Sequence, residues 1–268
     1  MKFISLLLFI LLFSFSVGAE VDFKQAFQDR DACFVVYDLE NGKTVSEYNP
    51  TRCKERFTPC SSFKIAAALM AFEKGILKDV HQTIKWDGVR HTRREENRNQ
   101  TPLTWMSNSV KWVTEWIMPQ LGPKTIQEFL MSFSYGNEDF SGGIRDAWVT
   151  SSLKISAYEQ ISFLTKIWKG DLPLSRNTID QTKEIIFIKK LGNSDLYGKT
   201  GTGCLVGRAC MNRPGKMIGT FVGVLKSGTK TYIFASNASD LKDQQQPAGP
   251  RLRNTTIEIL KSLGLVSD

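Results

Sequence analysis

"GTFVGVLKSGTKTYIFASN", Gly219–Asn237, sets the architecture. Two apolar, β-branched runs flank Lys226-Ser227-Gly228-Thr229, a turn that joins them antiparallel. Near the other end, "ACFVVYDLENGKTVSEYN", Ala32–Asn49, has the same form around Glu40-Asn41-Gly42-Lys43, a hairpin signal. "SDLYGKTGTG", Ser194–Gly203, reads as a further strand, and "TTIEILKSLG", Thr255–Gly264, as a closing helix capped by glycine. Strands at both ends with helical patterns between them predict an α/β chain of the α+β type. One antiparallel sheet is built from both chain ends, with flanking helices and an all-helical lobe inserted over about 78–185.

Ser62–Leu77 carries apolar residues at Phe63, Ile65, Ala66, Ala67, Ala68, Leu69 and Ala71. Nearly every face is apolar, so the spacing predicts a central, buried helix. "KTIQEFLMSF" and "SAYEQISFLTKIW" add helices to the lobe. No repeat or low-complexity linker divides the chain, and residues 20–268 read as one domain.

The chain has 268 residues and a formal net charge of +8, from 35 basic and 27 acidic residues. Those charges are dispersed, which argues against nucleic acid as a partner. The densest run, "RHTRREENRNQ", is interrupted by Glu95 and Glu96 and reads as a loop. Met1–Lys2, the apolar "FISLLLFILLFSFSV" and the small residues ending at Ala19 predict a signal peptide over 1–19, cleaved after Ala19. The expected product is exported to the bacterial periplasm and free of the membrane. Five cysteines fit an oxidising compartment. Cys33 can face Cys53 across the first hairpin, Cys204 and Cys210 can close a short loop, and Cys60 is then left over.

Only His81 and His91 occur, without metal-ligand spacing, so a zinc site and a Ser-His-Asp triad are both disfavoured and no metal is expected. A serine activated by lysine remains. In "SSFK", Ser61 and Lys64 stand three apart at a helix start and share one face. The helix terminus offers free N–H groups there, which can hold a developing oxyanion. A lysine can act as a base only when neutral, and apolar surroundings favour that form. "GKTGTG", Gly198–Gly203, is a second signal: Lys199 and Thr200 offer a cation and a hydroxyl, and the glycines let a substrate backbone approach the strand.

Ser-x-x-Lys followed by Lys-Thr-Gly resembles the penicillin-recognising serine enzymes. "YGN" at Tyr135–Asn137, with "IKWDG", "TPLTWM", "AWVTSSLKIS" and "LYGKTGTG" in order, resembles one branch of them, the class D β-lactamases (oxacillinases), from about Cys33 to Leu265. The resemblance implies a β-lactamase/transpeptidase-like fold and hydrolysis of β-lactam amides. It implies no cofactor except carbon dioxide, held as a carbamate on Lys64 (N6-carboxylysine). Ser61 would be the acylated nucleophile, carbamylated Lys64 the general base, and Trp148 the donor that holds the carbamate. Ser109 would relay a proton to the leaving nitrogen. Lys199, Thr200 and Arg251, with Arg253 as the other candidate, would bind the substrate carboxylate beside Gly201. The N–H groups of Ser61 and Thr202 would form the oxyanion hole. Tyr135, Gly136 and Asn137 would shape the pocket.

Two positions depart from the family pattern. Ser109-Val110-Lys111 carries lysine where valine is usual, and Val149 follows Trp148 where leucine is usual. Lys111 is expected either to snorkel out of the pocket or to pair with the carbamate. Competing readings are a penicillin-binding sensor that stays acylated, a cell-wall D-Ala-D-Ala peptidase, and a weakened homologue that only binds. Relatives of this kind occur as monomers and as homodimers, and substrate preference lies in loops near Trp105, Trp148 and "CLVGRAC".

Overall fold

The computed structural model describes residues 21–205 and 215–267. The predicted signal peptide over 1–19, and Cys210, lie outside them. Helices are α1 Phe23–Ala26, α2 Pro50–Lys54, α3 Lys64–Glu73, α4 Pro102–Ser107, α5 Lys111–Phe133, α6 Ala147–Thr150, α7 Ala157–Lys169, α8 Arg176–Ile185 and α9 Ala248–Ser262. Strands are β1 Arg30–Asp38, β2 Lys43–Tyr48, β3 Phe187–Leu191, β4 Ser194–Cys204, β5 Met217–Ser227 and β6 Lys230–Asp240.

The strands form one antiparallel sheet in the order β2-β1-β6-β5-β4-β3, so both chain ends build it as expected. Side chains alternate between two apolar layers. Val35, Val222, Val224, Ile233 and Ala235 join the layer under α3, α5 and α7. Phe34, Val36, Phe221, Leu225 and Phe234 pack beneath α9 with Leu252 and Leu260. Burial on both faces explains why β5 and β6 read as nearly unbroken apolar runs. β3 was not legible, because it lies at the sheet edge and Phe187, Lys189 and Lys190 are exposed.

Between β2 and β3, residues 50–185 carry α2 to α8. The expected helix over Ser62–Leu77 is shorter: a 3₁₀ turn at Cys60–Phe63 leads into α3, which stops at Glu73 before left-handed Gly75. α3 is buried from Lys64 to Phe72. α5 breaks at Gly122 (φ 74°, ψ 157°) and restarts at Pro123, whose fixed φ suits a first helical position. Cys33 on β1 is disulfide-bonded to Cys53 on α2. Cys204 is also disulfide-bonded, and Cys60 is a buried free thiol. Among the described residues, no helix is long and apolar enough to cross a membrane, and no group of three His, Cys, Asp or Glu could hold a metal ion.

Candidate active site

The centre of the site is the turn before α3. The Pro59 carbonyl accepts hydrogen bonds from Ser62 N (3.1 Å), Ser62 Oγ (2.7 Å) and Thr220 Oγ1 of β5 (3.3 Å). Cys60 sits in the left-handed region at φ 49°, an unfavourable conformation for a side chain with a Cβ, and these bonds hold it. Ser61 follows. Lys64 Nζ donates to Ser61 Oγ at 3.2 Å, so the two side chains meet as their spacing predicts.

Lys64 is 1% exposed. Burial, then the charges of Arg93 and Lys111, bring its ammonium down to a pKa of about 7, against the opposing influence of Glu96 and Glu115. Close to neutral pH the amine is therefore partly unprotonated, the form that can accept a proton or react with an electrophile. Burial pushes the adjacent Cys60 thiol up to about 12, which makes it inert at neutral pH.

β4 presses against this turn. A Cβ on Gly201 would lie 2.6 Å from the Pro59 carbonyl, and one on Gly203 would lie 2.6 Å from Cys60 Sγ. These glycines therefore make room for the protein's own Pro59–Cys60 turn. Lys199 shares their side of the strand by two-residue alternation and is buried. Its pKa falls well below the ordinary lysine range through burial first, then repulsion from Lys64, Arg93 and Arg253. Its Nζ donates to the Thr200 carbonyl at 3.1 Å. Thr200 and Thr202 alternate to the other side, where Thr202 Oγ1 accepts from Gly249 N at 2.8 Å and is committed to α9. β3 pairs with β4 only as far as Tyr197, so residues 199–204 lie beyond that pairing.

Trp148 packs in from α6. Its ring is buried and stacked on Phe63 at 5.4 Å, and its carbonyl accepts from Thr58 Oγ1 at 2.9 Å. The Val149 carbonyl accepts a long contact from Cys60 Sγ at 3.5 Å. Tyr135 is fully buried, edge-on to Phe63 at 5.9 Å. Gly136 (φ 61°) could carry no Cβ, which would overlap the Lys154 carbonyl. Asn137 donates from Nδ2 to Ser152 O and accepts from Lys154 N on Oδ1, both at 2.8 Å, and its own N–H reaches Lys154 O at 2.9 Å. Ile155 in turn pairs with Phe57. Tyr-Gly-Asn is thus a clamp that braces the segment leading to Ser61.

Ser109 takes a left-handed conformation (φ 55°) just before α5. Lys111, at the first position of α5, points its ammonium to Glu115 and to Asp146, the residue before α6 (3.8 Å to Asp146). Its ammonium is thus turned towards these two carboxylates, with its charge still acting on Lys64. Arg251 is engaged elsewhere: its guanidinium pairs with buried Asp240 at 2.6 Å and donates to the Gln246 carbonyl. Residues two apart on a helix point about 200° apart. Of the two candidates, Arg253 is the one whose charge acts on Lys199, after those of Lys64 and Arg93. Trp105 is core, fully buried with its indole N–H on Thr114 Oγ1 at 3.0 Å, rather than part of a pocket loop.

Sequence reasoning missed Arg93 and Glu96. Their run reads as a solvated loop, but an antiparallel bridge between Ile84 and Gln100 closes it, and buried Gln100 donates to the Glu95 carbonyl at 2.8 Å. A mixed charge run next to two tryptophans was the only local signal.

Residues 32–257 match the family model of the penicillin binding protein transpeptidase domain. The chain is 38% identical over 248 residues to beta-lactamase OXA-1 of Escherichia coli, covering 89% of this chain and 87% of that one. It is 30% identical to the regulatory protein BlaR1 of Bacillus licheniformis over 87% of this chain, but only 37% of that protein. The solved class D beta-lactamase BAT-2 superposes with a TM-score of 0.82 at 32% identity, covering 94% of this chain and 99% of the other.

Proposed function

The chain belongs to the penicillin-binding protein transpeptidase domain family and, within it, to the class D serine β-lactamases, and from that premise we propose how it opens the β-lactam amide of penicillin-type antibiotics. The reaction runs through a covalent acyl-enzyme on Ser61, with carbamylated Lys64 as general base. The observation that carries this is the buried Lys64 amine, near neutral and 3.2 Å from Ser61 Oγ.

The site suits the carbamate in two respects. Lys64 is enclosed, and its amine is basic enough to react yet unprotonated in part at neutral pH. When bound, carbon dioxide turns a cation into an anion able to accept a proton. The Trp148 indole N–H, a donor only, is the group expected to hold it.

Ser61 Oγ attacks the lactam carbonyl as its proton passes to the base at Lys64, the source of the proton that reaches the nitrogen. The N–H groups of Ser61 and Thr202 hold the oxyanion, the C–N bond breaks, and Ser109 relays a proton to the departing nitrogen. Water then attacks the acyl carbon, the base takes its proton, and Ser61 Oγ leaves reprotonated. Lys199, Thr200 and Arg253 hold the substrate carboxylate, with Arg253 in place of Arg251 because Arg251 is spent on Asp240. The signal-peptide pattern and the Cys33–Cys53 disulfide support export to the periplasm. Oligomeric state, monomer or homodimer, is read by light scattering.

BlaR1 is a regulatory relative, so a stable acyl adduct is the second reading. Hydrolysis of a chromogenic cephalosporin, with mass spectrometry of the protein, separates the two. Turnover with a transient adduct on Ser61 supports hydrolysis, and a lasting adduct without turnover supports the sensor. Activity that survives Ser61→Ala would overturn the site. A carbamate signal from protein equilibrated with ¹³C-bicarbonate, lost in Lys64→Met, tests the base.

A further inference from the structure

Ser109 and Lys64 share a neighbour that the family motifs do not contain. Arg93 stands at the start of the short 3₁₀ turn Arg94–Glu96, and its guanidinium spends its donors in four directions. Nη1 donates to the Asn108 carbonyl at 2.9 Å, and Nη2 to the Ser109 carbonyl at 3.3 Å. Nη2 also pairs with Glu96, while Nη1 lies 3.8 Å from Glu95. Glu96 is itself fixed: it is buried, and its carbonyl accepts the Trp112 indole N–H at 3.0 Å. A planar fork paired at one end with a buried carboxylate, on a turn whose backbone Trp112 braces, is suited to grip two successive carbonyls at the other.

The gripped carbonyls belong to the strained part of the site. Ser109 lies at φ 55°, a conformation that costs a serine on the order of 1–2 kcal/mol and that persists only where neighbours enforce it. Val110, next in sequence, is fully buried, so Arg93 and the α5 core hold Ser109 from both sides.

We propose that Arg93 is a positioning residue for the reaction, clamping the Asn108–Ser109 backbone so that the Ser109 hydroxyl is aimed, with the charge of its half-exposed guanidinium as a secondary influence on Lys64. The inference rests on the proposed function and deepens it. Lys64 faces Arg93 and Glu96 from the 93–96 turn, Lys111 and Glu115 from α5, Lys199 from β4, and Cys60 from its own turn. Arg93 leads the charges that keep the Lys64 amine neutral, and Glu96 opposes them. The pair therefore does two separable things: the fork aims Ser109, and the balance of the two charges tunes the base.

Three variants separate these roles, with kcat and the pH profile of kcat/KM measured on each and folding checked by circular dichroism. Arg93→Met loses grip and charge: kcat is expected to fall about tenfold, and the acid limb to move up by on the order of half a pH unit. Arg93→Lys keeps the charge but cannot span two carbonyls, so kcat falls while the limb stays near its original position. Glu96→Gln removes the opposing charge, and the limb moves to lower pH.

Limbs that do not move in Arg93→Met and Glu96→Gln, or that move in the same direction, overturn the electrostatic half. Full kcat in Arg93→Lys overturns the clamp. Should Arg93→Met fail to fold, the other two variants decide alone. Acylation of Ser61, followed by mass, carries the same comparison if the wild-type protein does not turn over. A non-hydrolysing wild type thus overturns the hydrolase reading without deciding this one.

Discussion

Lys64 Nζ donates to Ser61 Oγ at 3.2 Å from a position closed to solvent, so the proposed base and nucleophile are joined before any substrate arrives. Burial holds the Lys64 amine at about 7, and both proton acceptance and reaction with carbon dioxide need its neutral form. The rate, kcat/KM, should therefore rise with pH through about 7 on the acid side. Added bicarbonate should raise the rate most where the amine is neutral but carbon dioxide is scarce. Initial rates from pH 5 to 9, with and without bicarbonate, check this; a flat profile between pH 6 and 8 would contradict it.

The same group makes the fold weaker at low pH. The folded Lys64 titrates near 7 and the unfolded one near 10.5, so between these values the unfolded chain binds more protons and stability rises with pH. Below about 7 the full burial penalty applies. Lys64→Met should thus stabilise the protein at pH 6, by about 1–4 kcal/mol, with the gain shrinking towards pH 10. Urea midpoints of both proteins at pH 6, 8 and 10 measure the trend, and a gain that grows with pH would show that the sign is wrong.

Gly136 and Asn137 act on Ser61 through the backbone of 152–155. Gly136→Ala places a Cβ on the Lys154 carbonyl at a left-handed φ of 61° and should cost about 1–3 kcal/mol. Asn137→Ala leaves the Lys154 N–H and the Ser152 carbonyl without their side-chain partner, with a similar cost. Both should lower kcat more than they raise KM, because the bracing reaches the catalytic turn rather than the substrate. Thermal melts with steady-state kinetics test the split; an unchanged kcat in both variants would make the clamp irrelevant to catalysis.

Legibility followed how local each signal was. Strand alternation and the Asn41-Gly42 and Ser227-Gly228 turns are short-range, so β1, β2, β5 and β6 could be read directly, and Ser61–Lys64 is a single helical turn. Gly201 and Gly203 announce a close approach but not what approaches, so their contact with Pro59 and Cys60 was not legible in the sequence. Arg93 was hidden for a related reason. Its charge run looks solvated until the Ile84–Gln100 bridge folds it onto α5, an event set by residues outside the run. The placement of Lys111 follows in part from Glu115, an i,i+4 partner present in the sequence, and in part from Asp146, which lies far along the chain and which no local pattern announces.

Arg251 and Arg253 offer a paired test, because they are two residues apart yet carry opposite expectations. Arg251→Ala removes the ion-pair partner of Asp240, whose side chain is 1% exposed and keeps only the Met217 N–H at 3.3 Å and the charge of Arg30, a loss of up to about 3 kcal/mol. Stability should fall while KM for penicillins changes little in the protein that stays folded. Arg253→Ala removes the α9 cation whose charge acts on Lys199 and which is proposed to hold the substrate carboxylate, so KM should rise about tenfold with little change in melting temperature. Substrate analogues in which the carboxylate is esterified should lose that discrimination, binding wild type and Arg253→Ala alike. If Arg251→Ala instead raises KM at unchanged stability, the substrate carboxylate is held by Arg251, and its pairing with Asp240 must open when substrate binds.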